Sequence, residues 1–157
     1  MSEAATRLVE SFQNYIPNLI DTKGIHPAPM VVLLEGDRWE LQALDLEFDQ
    51  IMQHFCTRII DSDVAAAMVG VDRTTRPGQG TEFADVLTCF LYERADSSIL
   101  EVRVREQFRY GVINYQHKPR VVRPIDWDNS FWNQQLQREL FQYIPPLVIG
   151  RKPVPSK

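Results

Sequence analysis

Two cysteines, only seven glycines, a deficit of positive charge and no long apolar run set the first limits on this chain. No stretch approaches the roughly 20 consecutive apolar residues that a helix needs to cross a bilayer. The opening "MSEAATRLVESF" has neither the basic start nor the continuous apolar core of a secretory signal, so the expectation is a cytoplasmic protein with no membrane association. Cys56 and Cys89 stand alone in the apolar contexts "QHFCTRII" and "LTCFLY", without the CxxC spacing of a metal or redox site. Both read as small buried hydrophobes rather than as a disulfide. Lysine and arginine together number 17 against 21 acids, a formal charge of −4, which makes nucleic acid an unfavoured partner because phosphate binding relies on excess cations. His26, His54 and His117 are far apart and show no HxH or HExxH spacing, so neither a metal nor a cofactor is expected. There is no Gly-x-Ser-x-Gly elbow, and neither cysteine has an identifiable activating histidine.

What is present is the composition of an ordinary globular protein, 44% hydrophobic and 24% charged over 157 residues. That length predicts one domain, 1–157. Leu8, Val9, Phe12, Tyr15 and Ile16 recur at helical spacing behind Ser2 as a cap, and Pro17 ends the run. Residues 17–30 read as an extended connection punctuated by Gly24, Pro27 and Pro29. "PMVVLLEGDRWELQALD" reads as a β-hairpin turning at Gly36-Asp37. Asp45 is then expected to cap a helix with Phe48, Ile51, Met52, Phe55 and Ile59 on one face. Further strands are predicted in "VAAAMVGVDRTT", in "DVLTCFLYERADSSILEVRVREQFRY" as a pair, and in "GVINYQ" and "RVVRPI". A closing helix capped by Asn129 or Ser130 carries Phe131, Leu136, Leu140 and Ile144, and residues 147–157 read as a frayed tail. The fold class is α+β: a mixed or mostly antiparallel sheet of about five or six strands packed by three helices. The helix-then-two-strands layout of residues 45–94 loosely resembles the core of JAMM/MPN-type domains. That family's metal-binding H-x-H motif is absent, so the resemblance implies no peptidase activity here.

Three constellations carry chemistry. The first is "DRTTRPGQGTEFAD", residues 72–85, where Arg73 and Arg76 offer planar forks for a carboxylate or phosphate, and Gln79 and Glu82 flank Gly80. Its glycines match neither a phosphate-binding P-loop nor a dinucleotide fingerprint. Pro77-Gly78 equally fits the centre of a type II turn, with Asp72, Glu82 and Asp85 neutralising the arginines. The second is Asp85, Glu101 and Arg103, which resembles the D…ExK arrangement of metal-dependent nucleases with arginine in place of lysine. An arginine cannot serve as a general base, and alternating charge on a wet strand accounts for Glu101 and Arg103 without a metal. The third is "YQHKPRVVRPIDWDNSFW", residues 115–132, in which Arg120, Arg123 and Asp126 are interleaved with aromatic residues.

The expectation is a non-catalytic binding module. It would recognise a protein partner or a small anionic ligand through Arg73, Arg76, Gln79 and Glu82, then Arg120, Arg123 and Asp126. The alternatives are a divalent-metal-dependent hydrolase using Asp85 and Glu101, and a self-associating module, a homodimer built on an exposed sheet edge or the Trp-rich closing helix.

Overall fold

The computed structural model describes residues 1–21, 24–74, 85–94 and 108–128, with backbone alone for residues 73, 74 and 128. Helix α1, Glu3–Tyr15, begins as expected at Ser2, whose hydroxyl accepts the Ala5 N–H at 3.1 Å. Leu8, Phe12 and Ile16, four apart, form one fully buried row. Tyr15 was expected on that row. It stands 37% exposed instead, because three residues from Phe12 it falls at the rim of the buried stripe, where its hydroxyl stays hydrated. Pro17 tightens the chain into a 3-10 turn, Ile16–Leu19. The predicted extended connection is thus shorter than residues 17–30, since strand β1, Ala28–Leu34, is already formed at Ala28.

β1 and β2, Arg38–Leu44, make the expected hairpin, with Leu34 opposite Arg38. Gly36 (φ 78°) and Asp37 (φ 58°) both take left-handed backbone, the conformation that tight hairpins favour and that glycine and aspartate tolerate. Helix α2, Phe48–Ile59, is capped by Glu47 and not by Asp45. The Glu47 N–H is taken up by the Gln50 side chain at 3.2 Å, half of a capping box, while Asp45 accepts from or faces His26 Nε2 at 2.7 Å.

The remaining strands are β3, Val64–Thr74; β4, Asp85–Glu93; β5, Phe108–Gln116; β6, Val121–Val122; and β7, Asp126–Asp128. Their order is β2-β1-β3-β4-β5-β6, with β7 also on β5, and every pairing is antiparallel. The class is therefore α+β with an antiparallel sheet of seven strands among the described residues. The count exceeds the expected five or six because β6 and β7 are too short to leave a periodic signature. β2 and β3 both run antiparallel to β1 and therefore parallel to each other, so α2 carries the chain across β1 in the one crossover between parallel strands among the described residues. The predicted strand around Leu100, Val102 and Val104, the closing helix and the tail lie outside the described residues.

Two cores sit on the two faces of this sheet. Met30, Val32 and Leu34 join Ile51, Met52, Phe55 and Ile59 of α2, while Val31 and Leu33 join Leu8, Phe12 and Ile16. A central strand covered on both faces must be apolar throughout, and β1 is buried at all seven positions. Phe55 meets Phe108 edge-on at 6.1 Å, and Phe90 meets Tyr110 at 5.8 Å, on the α2 side. Arg58 locks α2 to β2: its guanidinium spans Glu40 with contacts of 2.8–3.2 Å and reaches Asp61 at 2.8 Å and Asp63 at 3.3 Å.

Helix α1 lies very close to β3 at Gly70, where an added Cβ would stand 2.8 Å from Leu87 and 2.9 Å from Phe12. Both neighbours are fully buried and have little room to yield. Gly70→Ala is expected to lower stability by about 1–3 kcal/mol, seen as a lower urea midpoint at unchanged m-value. An unchanged midpoint would show that α1 is not seated so tightly.

Candidate functional site at one end of the sheet

The register brings several distant segments to one end of the sheet. Thr74 pairs with Asp85, and Asp85 pairs with Tyr115, so the end of β3, the start of β4 and the end of β5 lie side by side. Alternation then places Asp72, Asp85 and Tyr115 on the face that carries α1, in line with Met68, Leu87 and Ile113. The segment after the 3-10 turn lies over them, closed by paired backbone hydrogen bonds between Asp21 and Gly24.

Here the acids are engaged internally. Asp72 accepts the Tyr115 hydroxyl on Oδ1 and the Ile25 N–H on Oδ2 at 3.2 Å. Gly24 (φ 109°) makes this possible: a Cβ there would fall 2.0 Å from Asp72 Oδ2, on backbone that side chains rarely adopt. Burial, then the hydrogen bond to Asp72 and the charges of Asp72 and Asp85, hold the Tyr115 phenol well above its ordinary 10. Asp85 Oδ2 lies 2.8 Å from His117 Nε2, and His117 Nδ1 faces the Asp21 carbonyl. Both imidazole nitrogens thus meet acceptors, and only the doubly protonated ring donates to both. Such a histidine bridges Asp85 and the Asp21 carbonyl with both ring nitrogens engaged, leaving no free nitrogen for general-base work.

Outside this buried set lies a concavity of about 230 Å³ lined by Ile20, Asp21, His117, Lys118, Pro119 and Arg120. Lys118 and Arg120 are exposed and hold no ion pair among the described residues. A second, larger hollow of about 590 Å³ runs along the end of α1, with Glu10, Gln13 and Asn14 on one side and Val122 and Arg123 on the other. The Arg123 N–H bonds to the Asn114 carbonyl at 2.9 Å, which carries the β5–β6 pairing one residue further.

Of the residues singled out in the sequence, Arg120 and Arg123 therefore come to neighbouring hollows rather than to one. Asp126 lies on β7 opposite Val112, lines neither hollow, and is exposed. Arg73 sits on β3 opposite Val86, at the sheet end just described. Arg76, Gln79 and Glu82 lie outside the described residues, as do Glu101 and Arg103. Asp72 and Asp85, expected to neutralise the arginines, have Tyr115, Ile25 and His117 as partners. The sequence reading missed Tyr115, His117 and Lys118 as site residues. The available signal was the two-residue spacing of Tyr115, in β5, and His117, the residue just beyond it, beside an acid of β4.

Among the described residues no group of three or more His, Cys, Asp or Glu is placed to hold a metal ion. Burial pushes the Cys56 thiol up to about 12 and the Cys89 thiol higher still, so neither is a ready nucleophile. No described helix is long and apolar enough to cross a membrane. Comparison with protein-family models, curated proteins and solved structures gives no match.

Tyr115 yields a pH-dependent test. A phenol whose folded pKa is raised stabilises fully below about pH 10, and that contribution is lost as the unfolded chain ionises while the folded phenol keeps its proton. Tyr115→Phe leaves Asp72 Oδ1 unpaired and is expected to lose about 1–3 kcal/mol at neutral pH. The gap between wild type and variant should then narrow from about pH 9 to about pH 11, by up to ~1.4 kcal/mol per pH unit, in paired urea titrations. A gap that stays constant over that range would place the phenol in water.

Proposed function

We infer that this chain is a non-catalytic binding module that receives an anionic group, a small ligand or the carboxylate of a protein partner, at the end of the sheet beside the β5–β6 turn. One observation carries the reading: Lys118 and Arg120 flank a hollow while the nearest buried acids, Asp72 and Asp85, already have internal partners. Lys118 and Arg120, with no ion pair among the described residues, outnumber the one carboxylate of the lining, Asp21, and an arginine fork suits planar carboxylate or phosphate oxygens.

The hollow is smaller than the range of about 300–1,000 Å³ usual for drug-sized ligands, which suits a single charged group on an apolar floor of Ile20 and Pro119. Arg73 and the glycine-punctuated stretch after it begin at this end of the sheet, which supports counting Arg73, Arg76, Gln79 and Glu82 in the same recognition surface. Arg123 extends it along the end of α1. Against catalysis stand the lack of a free imidazole nitrogen at His117 and the raised thiols. The metal-hydrolase alternative would have to draw Asp85 away from His117.

The test is titration with inorganic phosphate and with succinate at low salt, followed by amide NMR shifts. Shifts are expected to cluster at Ile20, Asp21 and residues 117–120, to weaken with ionic strength, and to need about tenfold more ligand in the Lys118→Ala/Arg120→Ala double variant. No clustered shifts, or a double variant that titrates like wild type, overturns the reading.

A further inference from the structure

Among the described residues, strand β2 is the outer strand of the sheet at the edge far from the site just described. Its residues alternate. Arg38, Glu40, Gln42 and Leu44 share the face of α2, opposite Leu34, Val32, Met30 and Ala28. Trp39, Leu41 and Ala43 form a row on the other face, and all three are exposed, Trp39 by 41% and Leu41 by 54%. An apolar row on an edge strand is what natural sheets usually guard with charge, because the free backbone edge accepts another strand. The charges nearest this row are already paired: Glu40, on the other face, is drawn onto Arg58 of α2 with contacts of 2.8–3.2 Å, and Arg7, whose guanidinium lies 5.9 Å from the Trp39 ring, is bound to Asp37 at 2.8 Å.

We propose that β2 pairs antiparallel with β2 of a second copy of this chain, about a two-fold axis through Leu41, so that two sheets become one. The row itself selects the partner and the register. Centred on Leu41, the large Trp39 faces the small Ala43 of the other copy on both sides, Leu41 faces itself, and Glu40 faces the neutral Gln42. Moving the axis to Glu40 sets two glutamates directly opposite, which opposes pairing. Centring it on Trp39 places Leu41 against Asp37, and centring it on Gln42 places Trp39 against Asp45. Only the Leu41 register, centred on the middle of Arg38–Leu44, pairs all seven strand positions, seats Trp39 on a small residue and leaves no like-charged pair within the strands. Asp37 and Asp45, which meet just beyond the strand ends, each already hold a basic partner, Arg7 at 2.8 Å and His26 at 2.7 Å. A self-complementary patch of this kind is the requirement for a closed two-fold dimer.

Sedimentation of the full chain from micromolar to millimolar concentration tests the pairing. Wild type is expected to pass from monomer to dimer, and Leu41→Lys, which sets two ammonium groups on the axis, should raise the dissociation constant about a hundredfold. Leu41 is more than half exposed, so the variant should fold. Should it not, oxidative cross-linking decides. Leu41→Cys joins to its own copy across the axis, whereas Ala43→Cys, which faces Trp39, does not. A monomer at millimolar concentration, a dimer indifferent to Leu41→Lys, or equal cross-linking at positions 41 and 43 overturns the proposal. So does a monomer whose β2 instead takes up an added extended peptide.

Discussion

The hydrogen bonds accepted by Asp72 tie one end of this molecule together. A carboxylate beneath a covering loop is stable only when its oxygens meet donors, and these two meet a phenol from β5 and a main-chain N–H from the stretch preceding β1. Three segments remote in sequence are joined at one side chain, and the joint requires that position 24 have no Cβ. Gly24 and Ile25 are drawn onto the sheet, and the Asp21 carbonyl, bonded to the Gly24 N–H, comes to lie against His117. The hollow beside Lys118 and Arg120 takes its shape from the same closure, since Ile20 and Asp21 form part of its wall.

The electrostatics of that end follow from which charges are engaged. Asp72 and Asp85 face inward partners, whereas Lys118 and Arg120 face water. At the opposite edge the charges are likewise engaged, Glu40 by Arg58 on one face and Arg7 by Asp37 on the other, beside an exposed apolar row of Trp39, Leu41 and Ala43. A chain of net charge −4 can thus present a locally basic rim at one place and an almost uncharged one at another. Net charge speaks to general attraction for polyanions, and local engagement decides what each surface can receive.

How much of this was readable beforehand depended on the range of the interaction. The β1–β2 hairpin was legible because Gly36-Asp37 and the alternation beside it act within a few residues. The buried face of α2 was legible because Ile51, Met52, Phe55 and Ile59 repeat at the helical period. The helix start was misplaced from Glu47 to Asp45, since either acid can cap and the choice fell to the contact between Asp45 and His26. β6 and β7 are too short for a period to show. The site was the least legible part: Asp72 and Tyr115 are separated by 43 positions, and nothing local announces that they meet. Arg120 and Arg123 were named from the sequence because arginine beside aromatic residues is a local pattern. Tyr115 and His117 were not, because their importance exists only once β4 lies beside β5.

The sheet order connects the two proposals. β2 and the β5–β6 turn lie at opposite edges, so pairing through β2 leaves both basic hollows open. Nine strand spacings of about 4.8 Å would separate the two copies of β5, placing their hollows on the order of 40 Å apart before twist is considered. Two copies held at a fixed span favour a partner that presents two acidic groups at a matching distance, since the second contact then forms within the complex at high effective concentration. A weak single contact with an exposed anion, of the kind a small hollow and two surface cations can make, becomes useful binding in that arrangement. The edge row and the basic rim, each modest alone, make joint physical sense in a dimer whose binding surfaces point away from each other.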